Sequence, residues 1–259
     1  MYKKIISIII CLIFFTPLGV IGQVEDLFMI DDYLFEDTEP TNITLQSLTL
    51  YWSADSYTPF GYKGRALPTN GSMVTVYADL KISGDNPENL KYSWFLDGFF
   101  QESKSGYNQN SFRFKIQKIA NSKHTVLLKV FNESRSFLVE ESIEIPITTQ
   151  ELVVYQKQNP KLNLAYSVSD SNFKVLTEEE NSFLVFPYFF NINKISDLEF
   201  TWSFANEDVK DSSLSANIFG MKIMNKEVGG ILEEVLKVSA INKKQTNQTD
   251  KETVKINIY

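Results

Sequence analysis

Two stretches, NLKYSWFLDG at 89–98 and DLEFTWSFAN at 197–206, set a Trp in the same surroundings 108 positions apart (202 minus 94). Each runs aromatic, polar, Trp, as Tyr92-Ser93-Trp94 and Phe200-Thr201-Trp202, with a Leu two positions before the aromatic residue. Alternation of this kind sends every second side chain to the same face of a strand. The pattern therefore predicts an inward Trp that two packed sheets close around, with Tyr92 and Phe200 beside it as core anchors. Two such strands predict two such sandwiches.

The neighbouring sequence extends the reading. Val74, Val76, Ala78, Leu80 and Ile82 alternate with mostly polar residues; Leu96 continues the Trp94 strand, and Phe112, Phe114 and Ile116 form the next. Val126, Leu128 and Val130 follow, and Ile143, Ile145 and Ile147 close the series. Turn-rich pieces separate them: Pro68-Thr69-Asn70-Gly71, Ser83-Gly84-Asp85-Asn86-Pro87 and Asn132-Glu133-Ser134. The second half replays the order, with Phe200, Trp202 and Phe204, then Ile218, Met221 and Ile223, then Leu236, Val238 and Ala240, and finally Val254, Ile256 and Ile258. Four strands in matching order indicate an internal duplication. The expected fold is all-β: two tandem immunoglobulin-like antiparallel sandwiches at 43–148 and 149–259, with Trp94 and Trp202 as structural anchors.

Ahead of them, Lys3 and Lys4 precede an 11-residue stretch, Ile5 to Phe15, that is apolar but for Ser7. Thr16-Pro17 breaks it, and Val20 and Gly22 suit the positions before a cleavage. This reads as a secretory signal peptide over 1–22, with a helical apolar run too short to span a bilayer easily. Left uncleaved, it would be the chain's one membrane contact. Residues 23–42 are acidic and read as an arm. The single Cys, Cys11, lies in the leader, so a mature chain from Gln23 has no disulfide, no cysteine nucleophile and no thiolate metal site. Without Lys3 and Lys4, 23 basic residues face 32 acidic ones, a net charge of −9. That balance repels phosphate backbones and excludes nucleic acid as a partner.

Two resemblances sit on these residues. Tyr92-Ser93-Trp94-Phe95-Leu96-Asp97-Gly98 resembles the PKD type of immunoglobulin-like module, marked by an aromatic-x-Trp strand that ends in an Asp-Gly turn; the second copy has Ala205-Asn206 there. More of the chain is similar to a family of exported proteins of ultra-small, candidate-phylum bacteria. The carrying blocks are Leu50-Tyr51-Trp52 with Ala54, Tyr57-Thr58-Pro59, Tyr62-Lys63-Gly64-Arg65-Ala66-Leu67-Pro68 and Tyr92-Ser93-Trp94. Ser105-Gly106-Tyr107-Asn108-Gln109-Asn110-Ser111-Phe112 and Phe186-Pro187-Tyr188-Phe189-Phe190 complete the set. The resemblance implies tandem immunoglobulin-like domains at the cell envelope, beside pilus or secretion components, and implies no activity.

Catalytic chemistry finds little to work with. His124 is the only His, reads as a strand-edge residue ahead of Thr125, and has no nucleophile elbow to serve. No catalytic residue, metal ligand set or cofactor is expected. The acidic groups Asp85, Asn86 and Glu88, and Glu178-Glu179-Glu180, lack the ordered spacing of a calcium loop and read as solvated turns. A hydrolase built on paired carboxylates is the least supported class. The segment YWSADSYTPFGYKGRALP at 51–68 stands out instead. It gathers Trp52, Tyr57, Phe60 and Tyr62 beside Lys63 and Arg65, and is the candidate partner-binding loop; its alternative role is to cap one end of the first sandwich. The leading expectation is a non-catalytic exported envelope protein whose sandwiches act as spacer and contact modules. The alternative is a carbohydrate-binding module using the 52–62 rings. The partner is thus a protein or glycan at the cell surface.

Overall fold

The computed structural model describes residues 42–158, 161–162, 172–209, 216–224 and 230–259; the leader and acidic arm lie outside them. Among the described residues there is no α-helix, and the helical pieces are three short 3-10 turns. Eight strands build the first sandwich: β1 (Thr44–Ala54), β2 (Met73–Ser83), β3 (Lys91–Leu96), β4 (Phe99–Phe100), β5 (Gly106–Tyr107), β6 (Ser111–Lys115), β7 (Lys123–Phe131) and β8 (Leu138–Pro146). Among the described residues nine build the second: β9 (Glu151–Gln158), β10 (Lys161–Leu162), β11 (Asn172–Val175), β12 (Glu180–Tyr188), β13 (Leu198–Phe204), β14 (Glu207–Asp208), β15 (Ile218–Lys222), β16 (Leu232–Asn242) and β17 (Thr249–Ile258).

In the first sandwich the sheet β1-β2-β6 faces the sheet β4-β3-β7-β8, with β5 on the outer edge of β3. In the second, β10-β9-β12-β15 faces β11-β17-β16-β13-β14. The shared partition puts the first, second and fifth principal strands on one sheet and the third, sixth and seventh on the other, which is the immunoglobulin-like arrangement. The second sandwich adds one device: β11 pairs in parallel with the last strand, Asn172 opposite Lys255 through Val175 opposite Ile258.

Period-two hydropathy is what forms these strands. Along β7, Val126, Leu128 and Val130 are fully buried, and β16 buries Leu236, Val238 and Ala240 in the same way. Each core closes on its Trp. Trp94 is 0% exposed, stacks on Phe112 at 5.7 Å between ring centres, and donates Nε1–H to the Gln109 carbonyl at 2.8 Å. Trp202 is 4% exposed, stacks on Phe219 at 5.5 Å, and donates to the Ala216 carbonyl at 3.0 Å. Both indoles thus satisfy their one polar atom while burying the ring. Tyr92 is buried beside Trp94, and Phe200 packs half-buried on the second core.

One expectation shifts by a residue. Met221 and Ile223 pack on the second core, but Ile218 lies on the opposite face of β15 and Phe219 takes the inward position. The stretch Ile218-Phe219-Gly220-Met221 is apolar in both phases, so hydropathy does not choose between them. The stack on Trp202 does.

Candidate functional site: the 51–68 segment and the domain junction

The 51–68 segment leaves β1 and crosses to the second sandwich. Tyr57 donates its N–H to the Phe190 carbonyl and accepts the Phe189 N–H on its own carbonyl, both at 2.7 Å, a short backbone ladder between the two halves. Its ring packs on the second hydrophobic core. Tyr62 meets Tyr188 and Phe189 edge-on at 5.6 and 6.0 Å. Trp52 is buried in the first core, with the Arg65 guanidinium 4.5 Å above its ring, a cation–π contact. Phe60, Lys63 and Arg65 face solvent. The structure therefore brings Tyr57 and Tyr62 to the domain junction, sets Trp52 under Arg65, and leaves Phe60 and Lys63 standing free.

Beneath the segment lies a buried polar network that hydropathy gave no reason to expect. Turns look solvated in a sequence, yet Thr69 and Ser72 from the first sandwich and Asn242 and Gln248 from the second are almost wholly buried. Gln248 Nε2 donates to Thr69 Oγ1 at 3.0 Å and to the Asn70 carbonyl at 3.2 Å. Ser72 Oγ donates to Asn191 Oδ1 at 2.6 Å, and Asn191 Nδ2 donates to the Asn70 carbonyl at 2.9 Å and to Gln245 Oε1 at 3.1 Å. The Asn191 N–H and Asn242 Nδ2 both reach Gln248 Oε1, at 2.9 and 3.0 Å. Thr69 Oγ1 donates to the Phe189 carbonyl at 2.9 Å. Phe189 itself sits at φ +61°, a left-handed conformation costly for a bulky residue, held on one side by Tyr57 and on the other by Thr69. Buried amides and hydroxyls so fully partnered fix one geometry.

Burial is the leading influence on the titratable groups at the junction. Burial pushes the Tyr57 phenol above its ordinary range. Tyr188 is pushed higher by burial, then by its hydrogen bond with Tyr155 (3.2 Å) and the nearby Glu151 and Tyr62. Both phenols are neutral at physiological pH. At the start of β17, burial raises Asp250 although the Leu152 N–H donates to it at 2.8 Å. Burial also raises Glu252, with Asp250 and Glu151 adding like charge.

His124 stands near the start of its strand as the sequence suggested, one residue inside it, but it is buried. It lies within β7, is 4% exposed, and packs edge-on against Phe114 at 5.3 Å. Nδ1 is 2.7 Å from Asp97 Oδ2, which also holds Lys118 Nζ at 2.9 Å, while Nε2 is buried without a hydrogen bond. Among the described residues no hydroxyl or thiol is hydrogen-bonded to its ring. Among the described residues no three His, Cys, Asp or Glu side chains gather as a metal site. Asp85 and Asn86 spend their oxygens on a capped turn: Asp85 accepts from the Asn86 N–H and from Asn89 Nδ2, and Asn86 from the Glu88 N–H. On the second sandwich a shallow depression of about 360 Å³ is lined by Thr201, Ser203, Ser239 and Thr253 with Lys237 and Lys251. No helix among the described residues is long and apolar enough to cross a membrane.

No family model matches the chain, and no curated protein matches it. Among solved structures it is similar to the three N-terminal domains of the bacteriophage RB49 highly immunogenic outer capsid protein, at 13% identity and a TM-score of 0.41, over 82% of this chain and 59% of that one. It is also similar to an ICAM-5 ectodomain fragment, at 10% identity and a TM-score of 0.29, over 83% of this chain and 54% of that one. A Bacteroides ovatus mixed-linkage glucan protein, SGBP-B, gives 8% identity and a TM-score of 0.24, over 86% and 71%. The chain thus spans somewhat more than half the length of the first two. Likeness at this level says nothing of what the chain does.

Proposed function

We propose that this is a non-catalytic, exported cell-envelope protein whose two immunoglobulin-like sandwiches serve as spacer and contact modules, in adhesion or in assembly of a surface apparatus such as a pilus. The observation that carries the reading is the junction. Backbone pairing at Tyr57 and the Thr69–Asn191–Gln248 network join the sandwiches directly, and the depressions beside that joint, about 300 and 420 Å³, are open and lined by Asn70, Gly71, Lys115, Asn191 and Gln245. A spacer needs that kind of joint. The leader at 1–22, with its basic start and 11-residue apolar stretch, supports export. A glycan-binding role for the 52–62 rings has less behind it, because Trp52, Tyr57 and Tyr62 already have partners inside the molecule.

Fractionation of producing cells, with surface protease shaving and mass spectrometry of the N-terminus, tests the reading. The expected result is a surface-retained chain beginning near Gln23. Recovery of the chain in the cytoplasm would overturn the envelope role. Turnover of a substrate by the purified chain, abolished by a carboxylate substitution, would overturn the non-catalytic one.

A further inference from the structure

The sheet β1-β2-β6 carries two rings on the side its core does not use. Along β2, Val74 and Val76 are fully buried, while Tyr77 faces outward, directly opposite Tyr51 on β1 and beside Ser111 on β6. Tyr51 stands 53% exposed and Tyr77 49%. The neighbouring outward rows are Ser53–Thr75–Arg113 on one side and Thr49–Asp79 on the other. Past Thr75 and Arg113 the next outward pair is Met73 and Lys115, and both line the depression of about 300 Å³ at the domain junction. Asp55 of the first sandwich and Asn193 and Gln245 of the second complete that hollow. The tyrosine pair and the hollow are therefore two ends of one strip, and Met73 to Tyr77 spans about 14 Å at the ordinary strand rise.

The chemistry of the strip selects its ligand. In the three rows from Thr49–Asp79 to Ser53–Thr75–Arg113 the tyrosine rings are the only apolar groups, and hydroxyls and charges surround them. A protein partner buries a contiguous apolar centre depleted of charge, which this pattern does not offer. The charges are also matched in place: Arg113 lies 4.0 Å from Asp55, and Lys81 3.8 Å from Asp79. A polyanion or polycation would have to break those pairs. The fitting ligand is uncharged, with C–H faces for the rings and hydroxyls that both donate and accept. We propose that the strip binds an extended neutral polysaccharide, which stacks on Tyr51 and Tyr77 and runs over Thr75 to the hollow at the junction. There the amides of Asn193 and Gln245 serve its hydroxyls, together with the Asp55 carboxylate, one oxygen of which accepts the Met73 N–H at 2.8 Å. This surface is distinct from Tyr57 and Tyr62, whose rings are spent inside the molecule. It rests on the contact-module reading and gives that module a ligand class.

The test is a microarray of bacterial, fungal, plant and animal glycans probed with the purified chain, followed by calorimetric titration with oligosaccharides of the polymer that gives the strongest signal. The expected signal falls on neutral polysaccharides. Affinity rises with oligosaccharide length until the strip is filled, at about three sugar units, and then levels off. Y51A and Y77A each weaken binding about tenfold, the loss of one ring contact. F60A, on the exposed tip of the 51–68 segment, leaves binding unchanged. Should a tyrosine variant fail to fold, as judged by its far-ultraviolet β signature, N193A at the other end of the strip takes its place and weakens binding of the longer oligosaccharides alone. No signal on any neutral glycan, signal on acidic glycans only, or binding that neither the tyrosine variants nor N193A alter overturns the proposal. Since the purified chain is used, a blank array removes this site and leaves the envelope reading to the fractionation result.

Discussion

Asp97 opens the turn between β3 and β4 and serves three partners: the Lys118 ammonium, the Thr125 N–H at 3.0 Å and His124 Nδ1. Partial burial works against its charge, but those donors outweigh burial and hold its pKa below the ordinary aspartate value. A depressed folded-state pKa contributes stability that is present above the unfolded pKa and lost as pH falls through the folded one. Asp97→Asn is expected to cost about 1.5–3 kcal/mol at pH 7, the range for hydrogen bonds to a charged group, with the difference from wild type disappearing below the ordinary aspartate range. Urea denaturation across pH checks this. Glu252 has the opposite sign, since burial first, then Asp250 and Glu151, raise its pKa. Its share of stability is present below the ordinary glutamate value and lost as pH rises through the raised one, so its charge is a burden at neutrality. Glu252→Gln should therefore stabilise at pH 7 by about 0.5 kcal/mol after solvent screening, and do nothing in acid. Neither residue was legible beforehand. A lone His and scattered acids carry no periodic signal, and what gives them character is a partner 27 positions away in one case and, in the other, burial with Asp250 and Glu151 close by.

At the level of elements, the two hairpins after the Trp strands use the same turn with unequal chemistry. Asp97-Gly98 has φ +51° and +85°, and Ala205-Asn206 has φ +52° and +65°. Both central residues are left-handed, which suits Asn or Asp followed by Gly and penalises an alanine methyl. Ala205→Asn is expected to raise stability by about 0.5–1 kcal/mol, read as a higher urea midpoint; an unchanged midpoint would show that the turn tolerates its Cβ. The strands themselves were readable because each presents one face to a core, and alternation is the direct record of that. Reading failed where a segment is apolar in both phases, as at Ile218 and Phe219, and at β11, whose four residues pair with a strand more than 80 positions later.

Across the whole molecule, the junction decides behaviour. Two hydrophobic cores would unfold separately on a slack tether. Here Asn191 and Gln248 tie the turns of one half to Thr69, Asn70 and Ser72 of the other. Calorimetry of the chain is expected to give one transition. The double variant N191A/Q248A strands several buried donors and acceptors, each worth about 1–3 kcal/mol, and should split that transition in two. A single unshifted transition in the variant would mean that the network does not couple the halves. Tandem sandwiches were visible in the sequence through the repeated Trp, but the joint was not, because its amides and hydroxyls sit in turns that resemble solvated ones. β1 enters the first sandwich at Thr44, away from the junction, and β17 leaves the second at Ile258, also away from it. A pull between those points runs lengthwise along both strands. Ten cross-strand pairs tie β1 to β2, ten tie β17 to β16, and four more tie it in parallel to β11. Loaded in that direction, the rungs carry tension together and give way together instead of unzipping one at a time, which makes the chain a stiff mechanical link.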